Sequence, residues 1–167
     1  MRRLLDLLSP IPFPASLMRV GGRLNAAWLR RAKGRGPLTS NSLVLTTRGR
    51  QTGRERSTAL LYFDREGRRY IVASFAGVHQ PPAWYLNLVA DPRVTIELAG
   101  TLTRCAAHVL DDDEAAEVWP YLDEAYHGFG RYRQRTTRRL PIVELVPEQA
   151  AATSAVAFSA SSADLPS

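Results

Sequence analysis

The strongest constraint on the fold is a pair of short apolar segments that flank a basic, glycine-containing stretch. Residues 43–45 and 60–63 are both apolar and β-prone, as strands require. Between them, Gly49 and Gly53 permit backbone conformations that a Cβ atom would penalise. The sequence therefore predicts a β-hairpin with strands at 42–47 and 58–63.

The turn of this predicted hairpin is rich in arginine. Guanidinium groups match phosphate and carboxylate oxygens in bidentate geometry, and the amides of a glycine turn can add to such a site. One interpretation is a cradle for a phosphate or polyanionic tail; the alternative is an exposed, hydrated loop. The stretch is not a P-loop, because its glycines are too close together and no Gly-Lys-Ser/Thr follows. Its basic and hydrogen-bonding residues are Arg48, Arg50, Gln51, Thr52, Arg54, Arg56, Ser57 and Thr58.

Positive charge is concentrated at the N-terminus. The 167 residues suit one domain, and the formal net charge is +6. Eight basic side chains but only one carboxylate, Asp6, lie in residues 1–40, so the remainder is nearly neutral. Such an arm can meet anionic lipid, nucleic acid or a charged cofactor, or it can be a solvated basic helix.

Several classes of site find no support in the sequence. Cys105 is the only cysteine and lies in an apolar run, which predicts a core residue. The three histidines lack the spacing of metal ligands, so no metal is expected. No apolar run is long enough for a transmembrane helix, and the N-terminus does not match a signal peptide. A cytoplasmic protein is therefore expected.

The order of predicted elements indicates an α+β, mainly β fold. A helical arm at 1–41 precedes an antiparallel barrel at 42–147, and an Ala/Ser-rich tail at 148–167 is predicted to be disordered. Short turns between successive strands favour antiparallel pairing over a doubly wound parallel sheet. Further strands are predicted at 69–75, 94–98, 101–110 and 141–146, and helices at 82–91 and from 111 to about 126. Pro120 is expected to kink or split the second helix. The glycine-containing segment 127–130 is expected to break the chain.

A second informative stretch runs from residue 73 to residue 88. A strand ends at Ser74, a glycine-containing loop follows, and a helix then carries Trp84 and Asn87. Ser74, Asn87 and the loop amides could bind the polar edges of a flat ring beside Trp84. The alternative is that Trp84, Tyr85 and Leu88 are simply core residues.

Together these stretches resemble a known family. The sequence Leu45-Thr-Thr-Arg-Gly-Arg-Gln-Thr-Gly53, followed by Val72-Ala-Ser74 and Pro82-Ala-Trp-Tyr-Leu-Asn-Leu88, is similar to the deazaflavin-dependent nitroreductases, actinobacterial enzymes with a split β-barrel. The resemblance covers roughly residues 43–146. It implies an oxidoreductase that transfers hydride from reduced coenzyme F420 to a quinone, nitro compound or other unsaturated acceptor.

The resemblance also implies roles for particular residues. Cofactor-binding residues would be Arg48, Arg50, Thr52, Gly53, Arg54, Thr58, Ser74, Phe75, Ala76, Gly77, Trp84 and Asn87. Catalytic residues would be Tyr126 and Tyr132 on the substrate side and Ser74 beside the ring, with Tyr126, Ser74 or water as the proton donor. The N-terminal arm would cover the pocket and could touch a membrane. The chain departs from the family pattern at Phe75-Ala76-Gly77, and Arg135 would make the acceptor pocket more polar.

The sequence is also compatible with two functions other than F420-dependent reduction. An FMN-binding split-barrel oxidoreductase could use the same arginines for one phosphate. A non-enzymatic membrane-associated protein could use residues 1–40 instead. Nucleic acid is not expected as a partner, because that arm lacks aromatic residues interleaved with arginine apart from Trp28. A monomer or a homodimer is expected.

Overall fold

A computed structural model describes residues 41–148, which fold into one curled sheet with helices packed against it. The expected arm and the expected tail lie, apart from their boundary residues, outside this range. The strands are β1 (Ser42–Arg48), β2 (Glu55–Leu61), β3 (Phe63–Arg65), β4 (Arg68–Val72), β5 (Arg93–Leu98), β6 (Thr101–Val109) and β7 (Ile142–Pro147). The helices are α1 (Ala83–Ala90), α2 (Asp112–Ala125) and α3 (Gly128–Arg135).

The strand order forces the sheet to curl. The strands are hydrogen-bonded in the order β2-β1-β5-β6-β7-β4-β3, and every pair is antiparallel. Strands β2 and β3 are the two ends of this order, yet only Tyr62 separates them in the chain. One residue spans about 3.3 Å, so the two edges must come together. The result is a barrel in which β2 and β3 meet at a seam. The two strands are joined there by the covalent chain through Tyr62 and not by backbone hydrogen bonds, which confirms the predicted split β-barrel.

Two apolar clusters fill the two sides of this sheet. The barrel interior is built around Leu45, Ile71, Leu88 and Val143, all at most 1% exposed. Cys105 belongs to it with 0% exposure, as its apolar surroundings predicted. The second cluster packs the outer face of β4 and β7 against α2 and α3. Strands β4 and β7 are therefore buried on both faces, and their buried residues run consecutively without the alternation of a half-exposed strand. The one carboxylate in this run, Glu144, is ion-paired with Arg68.

The structure corrects several predicted boundaries. Helix α2 continues through Pro120 as one helix. The proline lies on the exposed side, where water can satisfy the carbonyl group that loses its partner. The segment from residue 127 to residue 130 was expected to break the chain, but residue 128 begins helix α3. The strand predicted at 69–75 already ends at Val72, and Phe63–Arg65 forms a separate strand.

The early end of β4 has a local cause. Phe75, Ala76 and Gly77 have φ values of 43°, 51° and 77°, so three consecutive residues occupy the left-handed region. These residues form a short 3-10 turn that leads the chain away from the sheet. A Cβ atom built on Gly77 would lie 2.8 Å from the carbonyl oxygen of Tyr132 and 3.0 Å from Cβ of Arg135. Glycine at this position therefore allows the turn to lie directly against α3.

We expect Gly77→Ala to destabilise the protein more than a left-handed φ alone would. Gly67 is a matched control, because it has a φ of 78° and no neighbouring atom within 4 Å of the position that a Cβ atom would take. Alanine at either site costs about 1–2 kcal/mol of backbone strain. The clash with α3 should add about 1–3 kcal/mol at residue 77. Urea unfolding of the two variants measures the difference, and equal losses of stability would show that α3 moves away without cost.

Candidate functional site

A cavity of about 560 Å³ opens beside the seam of the barrel. Its walls come from the β1–β2 turn, strand β2, the end of β4 with the following turn, the start of α1, and α3. This volume lies within the range of roughly 300–1,000 Å³ that is typical of small-molecule sites. The seam leaves one edge of β2 without a partner strand, which opens room for a ligand there.

The polar end of the cavity is the turn between β1 and β2. The carbonyl oxygen of Gly49 accepts hydrogen bonds from the amides of Thr52 (3.2 Å) and Gly53 (2.7 Å), and Gly53 has a φ of 65°. Arg50 and Arg56 line the cavity at this end. Within residues 41–148, neither guanidinium group is ion-paired with a carboxylate. Their positive charge is therefore available to an anionic ligand.

Asn87 fixes this turn to helix α1. Its side-chain oxygen accepts a hydrogen bond from the Arg50 amide (3.2 Å), and its side-chain nitrogen donates to Oγ1 of Thr47 (3.1 Å). Asn87 is only 5% exposed, and both ends of its amide are engaged within the protein. The residue lines the cavity, but these contacts make it an anchor for the turn as well.

The left-handed turn after β4 forms the middle of the cavity wall. Ser74 and Phe75 line the cavity, whereas Ala76 and Gly77 are not part of its lining. A left-handed conformation costs about 1–2 kcal/mol at each residue that carries a Cβ atom. Such strain persists only where surrounding contacts hold it, and here the guanidinium group of Arg138 donates hydrogen bonds to carbonyl groups on both sides of the turn.

The opposite end of the cavity is aromatic and carries two hydroxyl groups. The hydroxyl oxygens of Tyr126 and Tyr132 lie 2.9 Å apart, so one donates a hydrogen bond to the other. The Phe129 ring packs edge-on against both tyrosines, with centroids 5.1 Å and 6.3 Å away. The Tyr126 ring lies over Gly128, where a Cβ atom would come within 2.3 Å of a ring carbon. Gly128, which was expected to break the chain, instead leaves room for this ring at the start of α3.

The structure brings most of the predicted site residues to one cavity. Those that line it are Arg50, Thr52, Thr58, Ser74, Phe75, Trp84, Asn87, Tyr126 and Tyr132. Those outside its lining are Arg48, Gly53, Arg54, Ala76 and Gly77. Arg48 instead extends over Gly53, with its guanidinium atoms 3.7 Å from the place of a Cβ atom there. Arg135 is exposed and also lies outside the lining, so it does not make the cavity more polar as expected.

Arg56, Phe129 and Arg138 are associated with the cavity but were not among the predicted site residues, although Arg56 was counted in the basic turn. Arg56 lies on β2 and not in the turn, and it carries the second cavity-facing charge. Phe129 lies in the segment that was expected to be irregular. Arg138 is 64 residues from Ser74 in the chain, and no local pattern signals their contact. For Arg56, the grouping of four arginines around the turn was a usable signal.

Two other features of the described residues bear on function. Between residues 41 and 148, no helix is long and apolar enough to cross a membrane. The same range holds no group of three or more histidine, cysteine or carboxylate side chains placed to bind a metal ion.

Comparisons with known proteins give the cavity a context. Residues 21–147 match the model of the F420H(2)-dependent quinone reductase family. The F420H(2)-dependent quinone reductase Rv1261c of Mycobacterium tuberculosis is 36% identical over 108 residues, which cover 62% of this chain and 72% of that protein. A solved F420-H2-dependent reductase, FDR-A, superposes with a TM-score of 0.57 at 27% identity, covering 63% of this chain and 93% of that one. Another solved structure, described as a domain-swapped dimer, has a TM-score of 0.59 at 25% identity and covers 73% of this chain and 93% of that one.

These matches favour F420 over FMN and an enzyme over a non-catalytic binding protein. The family model covers most of the chain, including every wall of the cavity. The chain therefore belongs to the F420H(2)-dependent quinone reductase family, a group of oxidoreductases, and its split β-barrel is built to use coenzyme F420.

Proposed function

We propose that this protein reduces a quinone or a similar unsaturated acceptor inside the cavity beside the barrel seam. One observation carries the proposal: a single cavity joins two arginines without a carboxylate partner at one end to a pair of tyrosine hydroxyl groups at the other, within residues 41–148. An anionic cofactor and an acceptor that needs a proton would each find a matching group there. The family membership supports F420 as the cofactor and a quinone as the acceptor class.

The polar end fits the phosphate and glutamate tail of F420. Arg50 and Arg56 would bind the tail by charge-assisted hydrogen bonds, which are stronger than neutral ones. Thr52 and Thr58 line the same end and supply hydroxyl groups. Arg48 and Arg54 lie just outside the cavity and would act on the part of the tail that extends into solvent.

The middle of the cavity fits the flat ring. Ser74 and Phe75 would form one wall, and Trp84, which is 7% exposed, would bound the cavity from α1. When bound, reduced F420 supplies the hydride that reduces the acceptor. The chain would orient the ring and exclude water from it.

The aromatic end fits the acceptor. The paired hydroxyl groups of Tyr126 and Tyr132 would donate a hydrogen bond to the acceptor oxygen and hold a proton for it. Because each hydroxyl has the other as a neighbour, the proton can be passed from one to the other at an oxygen–oxygen distance of 2.9 Å. Ser74, on the adjoining wall, is the other candidate donor besides water.

We also propose that the basic N-terminal region contacts anionic membrane lipid, where lipid-soluble quinones reside. Its eight basic residues and single carboxylate support this contact, and no nucleic acid partner is invoked. A cytoplasmic location is part of the same proposal. The similarity to a structure described as a domain-swapped dimer supports a homodimer over a monomer.

Mixing the protein with reduced F420 and menadione should produce cofactor oxidation well above the background rate. Tyr126→Phe and Tyr132→Phe should each lower kcat by about 100-fold, the lower end of what a general acid contributes, because one hydroxyl remains. Tyr121→Phe is the control, since its hydroxyl donates to the Asp64 carbonyl oxygen (2.7 Å) away from the cavity. No turnover with several quinones and nitroaromatics would overturn the function, and full activity in both tyrosine variants would overturn their role alone.

Arg56→Gln should weaken F420 binding through loss of a charge-assisted hydrogen bond. Such a bond contributes about 1.5–3 kcal/mol, which corresponds to roughly 10- to 150-fold in affinity. Arg48→Gln, outside the cavity lining, should change the dissociation constant by much less. Calorimetric titration with F420 and, separately, with FMN measures both. A larger loss in the Arg48 variant would show that the tail follows the outer arginines, and tighter FMN binding would refute the choice of cofactor.

The full-length protein should co-sediment with vesicles that contain phosphatidylserine and stay in solution with phosphatidylcholine alone. Binding should fall as the salt concentration rises, because screening weakens the attraction between arginine and anionic lipid. Replacing Arg2, Arg3, Arg19 and Arg23 with glutamine should reduce the bound fraction without lowering menadione reduction in detergent. Equal sedimentation of both vesicle types would contradict the proposed contact.

A further inference from the structure

We propose that Arg138 is a positioning residue: its guanidinium group holds the strained turn at residues 74–77 in the shape that the deazaflavin ring requires. This inference deepens the proposed function and rests on it for the identity of the ring. Arg138 does not line the cavity, and it would act only through the backbone of residues that do.

The contacts of Arg138 span the whole turn. Nη1 donates to the carbonyl oxygen of Ala73 at 2.9 Å, Nη2 to that of Ser74 at 2.7 Å, and Nε to that of Val78 at 2.8 Å. The first two acceptors precede the left-handed residues, and the third follows them. One rigid, planar group thus fixes the separation of the two ends.

Arg138 is itself held in place. Its backbone amide donates to Oγ1 of Thr136 (3.2 Å), and Nη1 also donates to the carbonyl oxygen of Arg139 (3.0 Å). Burial lowers the pKa of the guanidinium group, so its hydrogen bonds form in a partly dehydrated setting where they are stronger. The guanidinium group is therefore a fixed reference to which the turn is tied.

Apart from Arg138, the turn is held by two hydrogen bonds of its own and by packing against α3. Its own hydrogen bonds are those from the amide of Gly77 to the Ser74 carbonyl oxygen (2.9 Å) and from the amide of Val78 to the Phe75 carbonyl oxygen (3.0 Å). Gly77 is buried against α3, whereas Phe75 faces the cavity. Without Arg138, the left-handed residues would relax toward ordinary conformations, and Phe75 would leave the position it takes in the cavity wall.

Lysine cannot reproduce this arrangement. An ammonium group is a compact charge on a flexible stem, so it can reach one or two of the three carbonyl groups but cannot fix their separation. Arg138→Lys should therefore keep the fold and recover only part of the function, whereas Arg138→Gln should lose most of it. Arg139→Gln is the matched control, because its guanidinium group is ion-paired with Asp112 (2.6 Å) on the surface and, among the described residues, makes no contact with the turn.

Amide hydrogen exchange tests the turn without any cofactor. We expect the amides of Gly77 and Val78 to exchange about tenfold faster or more in the Arg138 variants, since local opening would no longer break the guanidinium contacts. The amide of Gly53 in the β1–β2 turn serves as an internal reference and should not change. Unchanged exchange at Gly77 and Val78 in both Arg138 variants would overturn the proposal.

Ligand titration tests whether the restraint serves the ring. The deazaflavin ring without its phosphate and glutamate tail, and intact F420, should both bind Arg138→Gln about tenfold more weakly than the wild type. Arg56→Gln should weaken intact F420 alone. Ring-fragment affinity within twofold of the wild type would reduce Arg138 to a purely structural residue. If the wild type binds neither ligand, the proposed function is wrong, but the hydrogen-exchange result still shows whether Arg138 holds the turn. If Arg138→Gln does not fold, both measurements are made on Arg138→Lys instead.

Discussion

The link of one residue between β2 and β3 determines the rest of the architecture. Because these strands end the hydrogen-bonded order on opposite sides, Tyr62 can join them only if the sheet closes on itself. Closure encloses one apolar cluster and leaves β4 and β7 to be covered by α2 and α3. It also leaves a seam without backbone hydrogen bonds, and the cavity opens along that seam. The same constraint that creates the core therefore creates the site.

The site combines groups that depend on different parts of the fold. The arginines of the polar end belong to one local hairpin: Arg50 lies in the turn that Asn87 anchors, and Arg56 is placed by the pairing of β1 and β2. The tyrosines of the aromatic end belong to α3 and the residues before it. The strained turn after β4 connects the two ends and depends on Arg138, which follows α3 in the chain. Under the proposed function, binding of a charged tail and positioning of a reactive ring would thus be separate physical tasks in this cavity.

Local sequence patterns predicted those features whose cause is local. The first hairpin, helix α1, the strand pair β5–β6 and the last strand all have an apolar pattern that matches their environment. The patterns failed where a distant contact decides the conformation. Nothing near Phe75 or Ala76 indicates a left-handed backbone, because the group that supports it lies more than 60 residues away. Gly128 indicates a break when read alone, yet it allows the Tyr126 ring to pack closely against the start of α3. Likewise, the resemblance to deazaflavin enzymes identified the cavity correctly but not every residue that lines it. It assigned Arg48 and Arg54, which lie beside the glycines but outside the cavity lining. It did not assign Arg56, which pairs with Thr47 and therefore lies on the strand that borders the cavity.

The two hydrogen bonds of Asn87 have a consequence for the coupling between the two parts of the cavity. Helix α1 bears Asn87, which is hydrogen-bonded to the arginine-bearing loop, and Trp84, which lines the cavity where the flat ring is proposed to bind. Trp84 and Asn87 are three residues apart on neighbouring turns of this helix, so a displacement of the helix would move both. If an anion at the loop displaces the helix, the indole moves with it, and thermodynamic reciprocity then requires that a ligand beside the indole alter anion affinity by the same factor.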